Sequence, residues 1–129
     1  MAGSRYGLHA QQDQTVYDDE VQLVSFADLD YPPGPRAERI QGLVVIAATL
    51  DDGGNVASAS AISGPRALIG DAIANTKKWK FKPNRQKRIV IVYDFQIGDG
   101  VCHDRARSLF LLKRSNFAIV KSCENVIEG

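Results

Sequence analysis

Two cysteines, two histidines, one methionine and one tryptophan in 129 residues leave little material for a reactive centre. The histidines and cysteines, His9, Cys102, His103 and Cys123, are scattered and lack the paired spacing of a zinc site. Cys102, His103 and Asp104 are consecutive, but neighbours in an extended chain point to opposite sides, so adjacency makes no nucleophile and base pair. Asp51-Asp52-Gly53-Gly54 lacks the alternating oxygen ligands and the closing glutamate of a calcium loop. Gly98-Asp99-Gly100 precedes no helix start that would make it a phosphate cradle. These shortages argue against an enzyme, a bound metal and a cofactor. A long apolar run is also missing: Leu43 to Leu50 falls far short of the roughly 20 residues of a membrane helix. No membrane span is expected in this chain, and Met1-Ala2-Gly3-Ser4 opens no apolar signal segment.

What remains is the composition of an ordinary globular domain, 44% hydrophobic and 24% charged. The net charge of +1 conceals an asymmetry. Asp13, Asp18, Asp19, Glu20, Asp28 and Asp30 make the first thirty residues acidic, whereas Lys77, Lys78, Lys80, Lys82, Arg85, Lys87 and Arg88 make the centre basic. Such a split serves an acidic partner or internal neutralisation. Lysines around Trp79 and Phe81 are also the ingredients of a single-strand nucleic-acid site, but a ring that closes a helix stripe is unavailable for base stacking, so no nucleic acid is expected. Cys102 and Cys123 allow one disulfide and, with it, an oxidising compartment; two reduced, buried thiols are the alternative.

In chain order, residues 1–20 read as a flexible acidic arm. Val21 and Leu23, with Phe26 and Leu29, suggest a short extended segment. Three prolines within Pro32 to Pro35 exclude a helix there, leaving one helical turn over Arg36 to Ile40. Gly42 opens a strand through Leu50, apolar on both faces as in a strand covered on both sides. A hairpin turn at residues 51–55 returns it as Val56 to Ile62, whose small side chains admit something bulky above them. Ser63-Gly64-Pro65 starts a helix with proline at the first helical position. Leu68, Ile69, Ala72, Ile73, Thr76 and Trp79 form its apolar stripe, and Pro83 ends it. Trp79 and Phe81 plug the helix-to-sheet junction. Ile89, Ile91, Tyr93, Phe95 and Ile97 alternate with Val90, Val92, Asp94 and Gln96 in a half-buried strand. Residues 98–129 extend the domain with a hairpin formed by Leu109–Leu112 and Phe117–Lys121. The fold class is α+β: a small antiparallel sheet of three strands plus this hairpin, with one main and one short helix packed on one face.

Tyr31-Pro32, Gly42, the Asp52-Gly53 hairpin, Gly64, Leu68, and Trp79-x-Phe81-x-Pro83 occur in an order and at distances that resemble the C-terminal domain of TonB energy transducers, over residues 31–97. The resemblance implies a periplasmic domain of Gram-negative bacteria that links inner-membrane energy to outer-membrane transport. It further implies that an extended peptide of a TonB-dependent receptor adds to a sheet edge, here Ile89, Val90, Ile91, Val92, Tyr93, Asp94, Phe95, Gln96 and Ile97 with Leu29 and Asp30 nearby. A transducer also carries a membrane anchor and a Pro-rich spacer, expected in a longer native form. If the C-terminal hairpin pairs with residues 89–97, that edge is already taken; a structural relative or a homodimer formed by strand exchange is then the alternative.

Overall fold

The computed structural model describes residues 21–83, 85–98 and 108–123. Seven strands and two helices follow one another as β1 (Gln22–Ser25), α1 (Pro33–Ala37), β2 (Gly42–Leu50), β3 (Val56–Ser63), α2 (Arg66–Thr76), β4 (Lys80–Lys82), β5 (Arg88–Ile97), β6 (Ser108–Arg114) and β7 (Phe117–Ser122). The main sheet has the order β3-β2-β5-β7-β6, and β1 pairs with β4 in a separate ribbon. All neighbours are antiparallel except β5 and β7, which run parallel. The fold is therefore α+β as expected, with one difference. The C-terminal hairpin joins the sheet by its second strand, so β6 lies one place further out than a simple meander would put it.

Both helices sit on the same face. On α2, Leu68, Ala72, Asn75 and Thr76 recur at helical spacing and are buried, and the helix lies over β2 and β3, whose alanines and serines leave room for it. Tyr31, just before α1, presses its ring edge-on to Phe95 with centroids 5.5 Å apart and donates its hydroxyl to the carbonyl of Ile40. The covered face of β2 carries Val44, Ile46, Ala48 and Leu50, all buried. Its other face is not covered: Leu43 is 51% exposed, so the expectation of burial on both sides is corrected.

Three local expectations also change. The prolines do not exclude a helix at residues 33–37; Pro33 and Pro35 occupy the first turn of α1, where an N–H would have no intrahelical partner. Pro65 is the residue before α2 rather than its first turn, with ψ of 128°. Helix α2 ends at Thr76, seven residues before Pro83, so that proline terminates β4 instead.

The hairpin between β2 and β3 is held by the carboxylate of Asp51, which accepts N–H bonds from Gly53 and Asn55, each at 2.9 Å. The Asn55 amide, with smaller help from Gly53 and Gly54, keeps this carboxyl below its ordinary range. The glycine that geometry requires is Gly54 rather than Gly53. At φ +88° its Cα lies so close to β4 that a Cβ would fall 1.7 Å from the carbonyl oxygen of Phe81. Gly64, at φ +137°, is similarly tight against Val44, whose Cα would be 2.9 Å from a Cβ. We expect Gly54→Ala to cost on the order of 3 kcal/mol or more, because strain and a backbone clash coincide. Gly53→Ala should be nearly neutral. Urea unfolding of the two variants checks the contrast.

Candidate functional site

β5, the strand that the sequence reading expected to take a partner on its edge, is an inner strand of the sheet, and its position follows from the packing beneath it. Tyr93, at the middle of β5, is fully buried and lies in a polar cluster at the end of α2. Its hydroxyl donates to Oδ1 of Asn75 at 2.9 Å and meets Oγ1 of Thr76 at 2.8 Å. Trp79 donates its indole N–H to the same Asn75 oxygen at 2.8 Å. The Asn75 amide nitrogen donates to the carbonyls of Ala27 and Asp28, at 3.1 and 3.0 Å. All four polar positions of this buried side chain are thus used. Burial pushes the Tyr93 hydroxyl well above the ordinary tyrosine range, and burial likewise raises Tyr31, against the opposing charge of Arg39.

Trp79 is 1% exposed; it stacks on Phe81 with centroids 6.0 Å apart and meets Tyr93 and Phe110 edge-on at 6.1 and 6.4 Å. Phe26 caps the group, 5.8 Å from both Trp79 and Phe110. The tryptophan has no free face for a base. Through Phe110, moreover, the C-terminal hairpin belongs to the core.

On one side β5 pairs with β2 from Arg88 to Phe95. On the other, Val92 to Ile97 pair with β7 from Phe117 to Ser122. Ala118 and Val120 of β7 are fully buried. Asn116, 2% exposed, starts the seam: its carbonyl accepts the Val92 N–H and its side-chain amide donates to the Val90 carbonyl, both at 2.9 Å. At the far end Gly98 donates its N–H to the carbonyl of Ser122, also at 2.9 Å. Arg36 of α1 donates to Oγ of Ser122 at 3.1 Å and to the carbonyl of Cys123 at 2.8 Å. Next to Leu29 and Asp30, Tyr31 donates its N–H to Oγ of Ser108 at the start of β6, at 3.1 Å, while its ring packs on Phe95 of β5. Cys123 is buried and its sulfur is in a disulfide. Cys102, like His9, His103 and Asp104, lies outside the described residues.

Sequence reasoning identified the hairpin and the strand it would meet, but missed Asn75, Asn116 and Arg36. Asn75 falls at helical spacing from Leu68 and Ala72 but is polar and so is not read as part of an apolar stripe. No periodicity marks Arg36, and Asn116 stands out only as a turn residue between two apolar runs. Among the described residues no group of histidine, cysteine or acidic side chains could hold a metal ion, and no helix is long and apolar enough to cross a membrane.

Residues 27–97, more than half of the chain, match the family described as Gram-negative bacterial TonB protein C-terminal. No curated protein is similar enough to count as a relative.

Two outcomes follow from the cluster and the seam. Asn116→Ala leaves the Val90 carbonyl without its partner, and should cost about 1–3 kcal/mol while speeding amide exchange at Ala118 and Val120. Tyr93→Phe should cost about 1 kcal/mol near neutral pH through the lost hydrogen bond. Because the folded protein raises the Tyr93 pKa above its unfolded value of about 10, this stabilisation is complete below that pH and disappears as pH rises through the folded value. Unfolding curves from pH 8 to 12 should therefore fall more steeply for the parent chain than for Tyr93→Phe.

Proposed function

The chain belongs to the Gram-negative bacterial TonB protein C-terminal family, and from that premise we propose that it is a periplasmic TonB-like domain whose peptide-binding edge is filled by its own C-terminal hairpin. The family consists of non-enzymatic energy transducers that act with outer-membrane receptors. The observation that carries the proposal is β7, which lies along Val92 to Ile97 where the family would take a receptor peptide. Peeling it away would expose Val120 and Ala118 and strip Phe110 from Trp79, at roughly 1.5–3 kcal/mol per large apolar side chain. That is comparable to much of a domain's total stability of about 5–15 kcal/mol. The hairpin is thus a resident strand. In this reading the domain is a structural member of the envelope machinery, with no nucleic-acid partner.

The second reading is a working transducer, anchored in the inner membrane in a longer form, whose Ile89 to Ile97 grip a receptor peptide with Leu29 and Asp30 alongside. Family membership favours it, but it requires β7 to leave. The two separate on titration of the full chain with an extended peptide from the N-terminal segment of a TonB-dependent receptor. Cis occupancy predicts that the amides of Val92, Asp94 and Gln96 keep their shifts and slow exchange at saturating peptide. Peptide binding with loss of protection at Ala118 and Val120 would establish exchange of strands and a working grip.

A further inference from the structure

We propose that the basic face of the β1–β4 ribbon is the docking surface of the chain's own acidic residues Asp18, Asp19 and Glu20, which precede the described part of the chain. The charges are segregated in the sequence. Residues 77–88 hold Lys77, Lys78, Lys80, Lys82, Arg85, Lys87 and Arg88 with no carboxylate among them, and residues 13–20 hold Asp13, Asp18, Asp19 and Glu20 with no cation. In the fold one of those cations is neutralised locally, since Lys87 forms an ion pair with Asp52 of the β2–β3 turn. β4 is flanked on both edges. β1 pairs with one, and at the other Phe81 donates its N–H to the Gly54 carbonyl at 2.9 Å and Lys80 bridges to Asn55. Phe81 fills the inner face, so alternation turns Lys80 and Lys82 outward; both are exposed, as is Arg85 just beyond them.

What selects the occupant is the place where the acidic segment joins the fold. β1 runs antiparallel to β4, with Gln22 opposite Lys82 and Leu23 opposite Phe81. Followed back toward its start, β1 therefore leaves the ribbon at the Lys82 end, beside the turn that carries Arg85. Val21 is buried and pins that point. Glu20 is two residues and Asp18 four residues from Gln22, so their backbones stay within roughly 7 and 14 Å of it even in a fully extended chain. Three carboxylates are thus confined within about two Debye lengths of Lys82 and Arg85 at physiological salt. A single exposed ion pair is worth little, but three carboxylates set against Lys80, Lys82 and Arg85 act as a network. A tether this short gives them a roughly millimolar effective concentration, which any separate anion has to exceed. The surface that the charge asymmetry offers to an acidic partner is thereby reserved for the chain itself.

The test is backbone-amide NMR of the full chain, disulfide intact, at about 20 mM and about 500 mM salt, between which the Debye length falls from roughly 20 to roughly 4 Å. A short polyglutamate peptide is titrated into the same samples. The proposal predicts that the amides of Lys80, Lys82 and Arg85 shift with salt in the parent chain. In the triple variant Asp18→Asn, Asp19→Asn, Glu20→Gln they should stand at low salt where the parent has them at high salt. At low salt that variant should also bind the peptide about tenfold more tightly than the parent, because the competitor is gone. Glu38→Gln with Asp71→Asn, which removes two exposed carboxylates at α1 and on α2, should leave both readouts as in the parent. Equal peptide affinity of parent and triple variant overturns the proposal. So does a triple variant whose Lys80, Lys82 and Arg85 amides keep the parent's low-salt positions. Tighter peptide binding that Glu38→Gln with Asp71→Asn reproduces overturns it as well, since net charge alone is then responsible. None of these outcomes depends on what fills the β5 edge, which is read at Val92, Asp94 and Gln96.

Discussion

One asparagine ties the parts together. Asn75, in the last turn of α2, uses its amide to hold the backbone of residues 27 and 28, while its oxygen receives Trp79 and Tyr93. The helix end, the segment leading to α1, the β4 approach and the central strand β5 are all fixed by that side chain. A group so placed is costly to leave unsatisfied, at about 1–3 kcal/mol per orphaned partner, and that cost makes the arrangement specific. Everything that touches Trp79 inherits its position, including Phe110 of the hairpin.

That inheritance explains why the hairpin is resident. Its inner face contributes Ala118 and Val120 to the core, its first strand sends Phe110 under Phe26 and beside Trp79, and Arg36 reaches across from α1 to its end. A strand held only by main-chain bonds could be exchanged for a peptide of similar pattern. A strand whose side chains complete the core is replaced only by one that supplies the same volume.

Much of this was legible in the sequence, and the failures have physical causes. The alternation from Ile89 to Ile97 and the helix stripe from Leu68 are periodic signals that match elements, although the stripe ends at Thr76 and leaves Trp79 beyond the helix, and the apolar run from Leu109 to Leu112 with the strand after it matches the hairpin. The prolines in the first turn of α1 mislead because a ban on proline in helix interiors does not extend to that turn. Turn chemistry alone points to the glycine of Asp52-Gly53, whereas the need at Gly54 comes from β4, a contact distant in sequence. The exposed face of β2 could not be read as open because Leu43 and Val45 look as apolar as Val44 and Ile46. The seam was beyond reach for a related reason: parallel pairing of β5 with β7 leaves no local mark, and Asn116 resembles any turn asparagine.

The seam is also incomplete, in an informative way. β7 covers Val92 to Ile97 and stops; below it, the β5 residues turned toward that side are Arg88 and Val90. The Val90 carbonyl is already taken by the side chain of Asn116, which acts as the last rung of the ladder in place of another residue of strand. A two-residue remnant of this kind does not hold an added strand, since strands commonly run to about 5–6 residues. In the proposed reading the six residues of β7 therefore close the β5 edge while they stay in place, although they pair with only part of it. A sheet that is not closed into a barrel cannot lose an edge by adding strands; it can only move it. In this chain the addition has moved the edge from a strand whose outward side is now held by Asn116 and Ser122 to one flanked by four apolar side chains, and the chemistry available for recognition has changed with it.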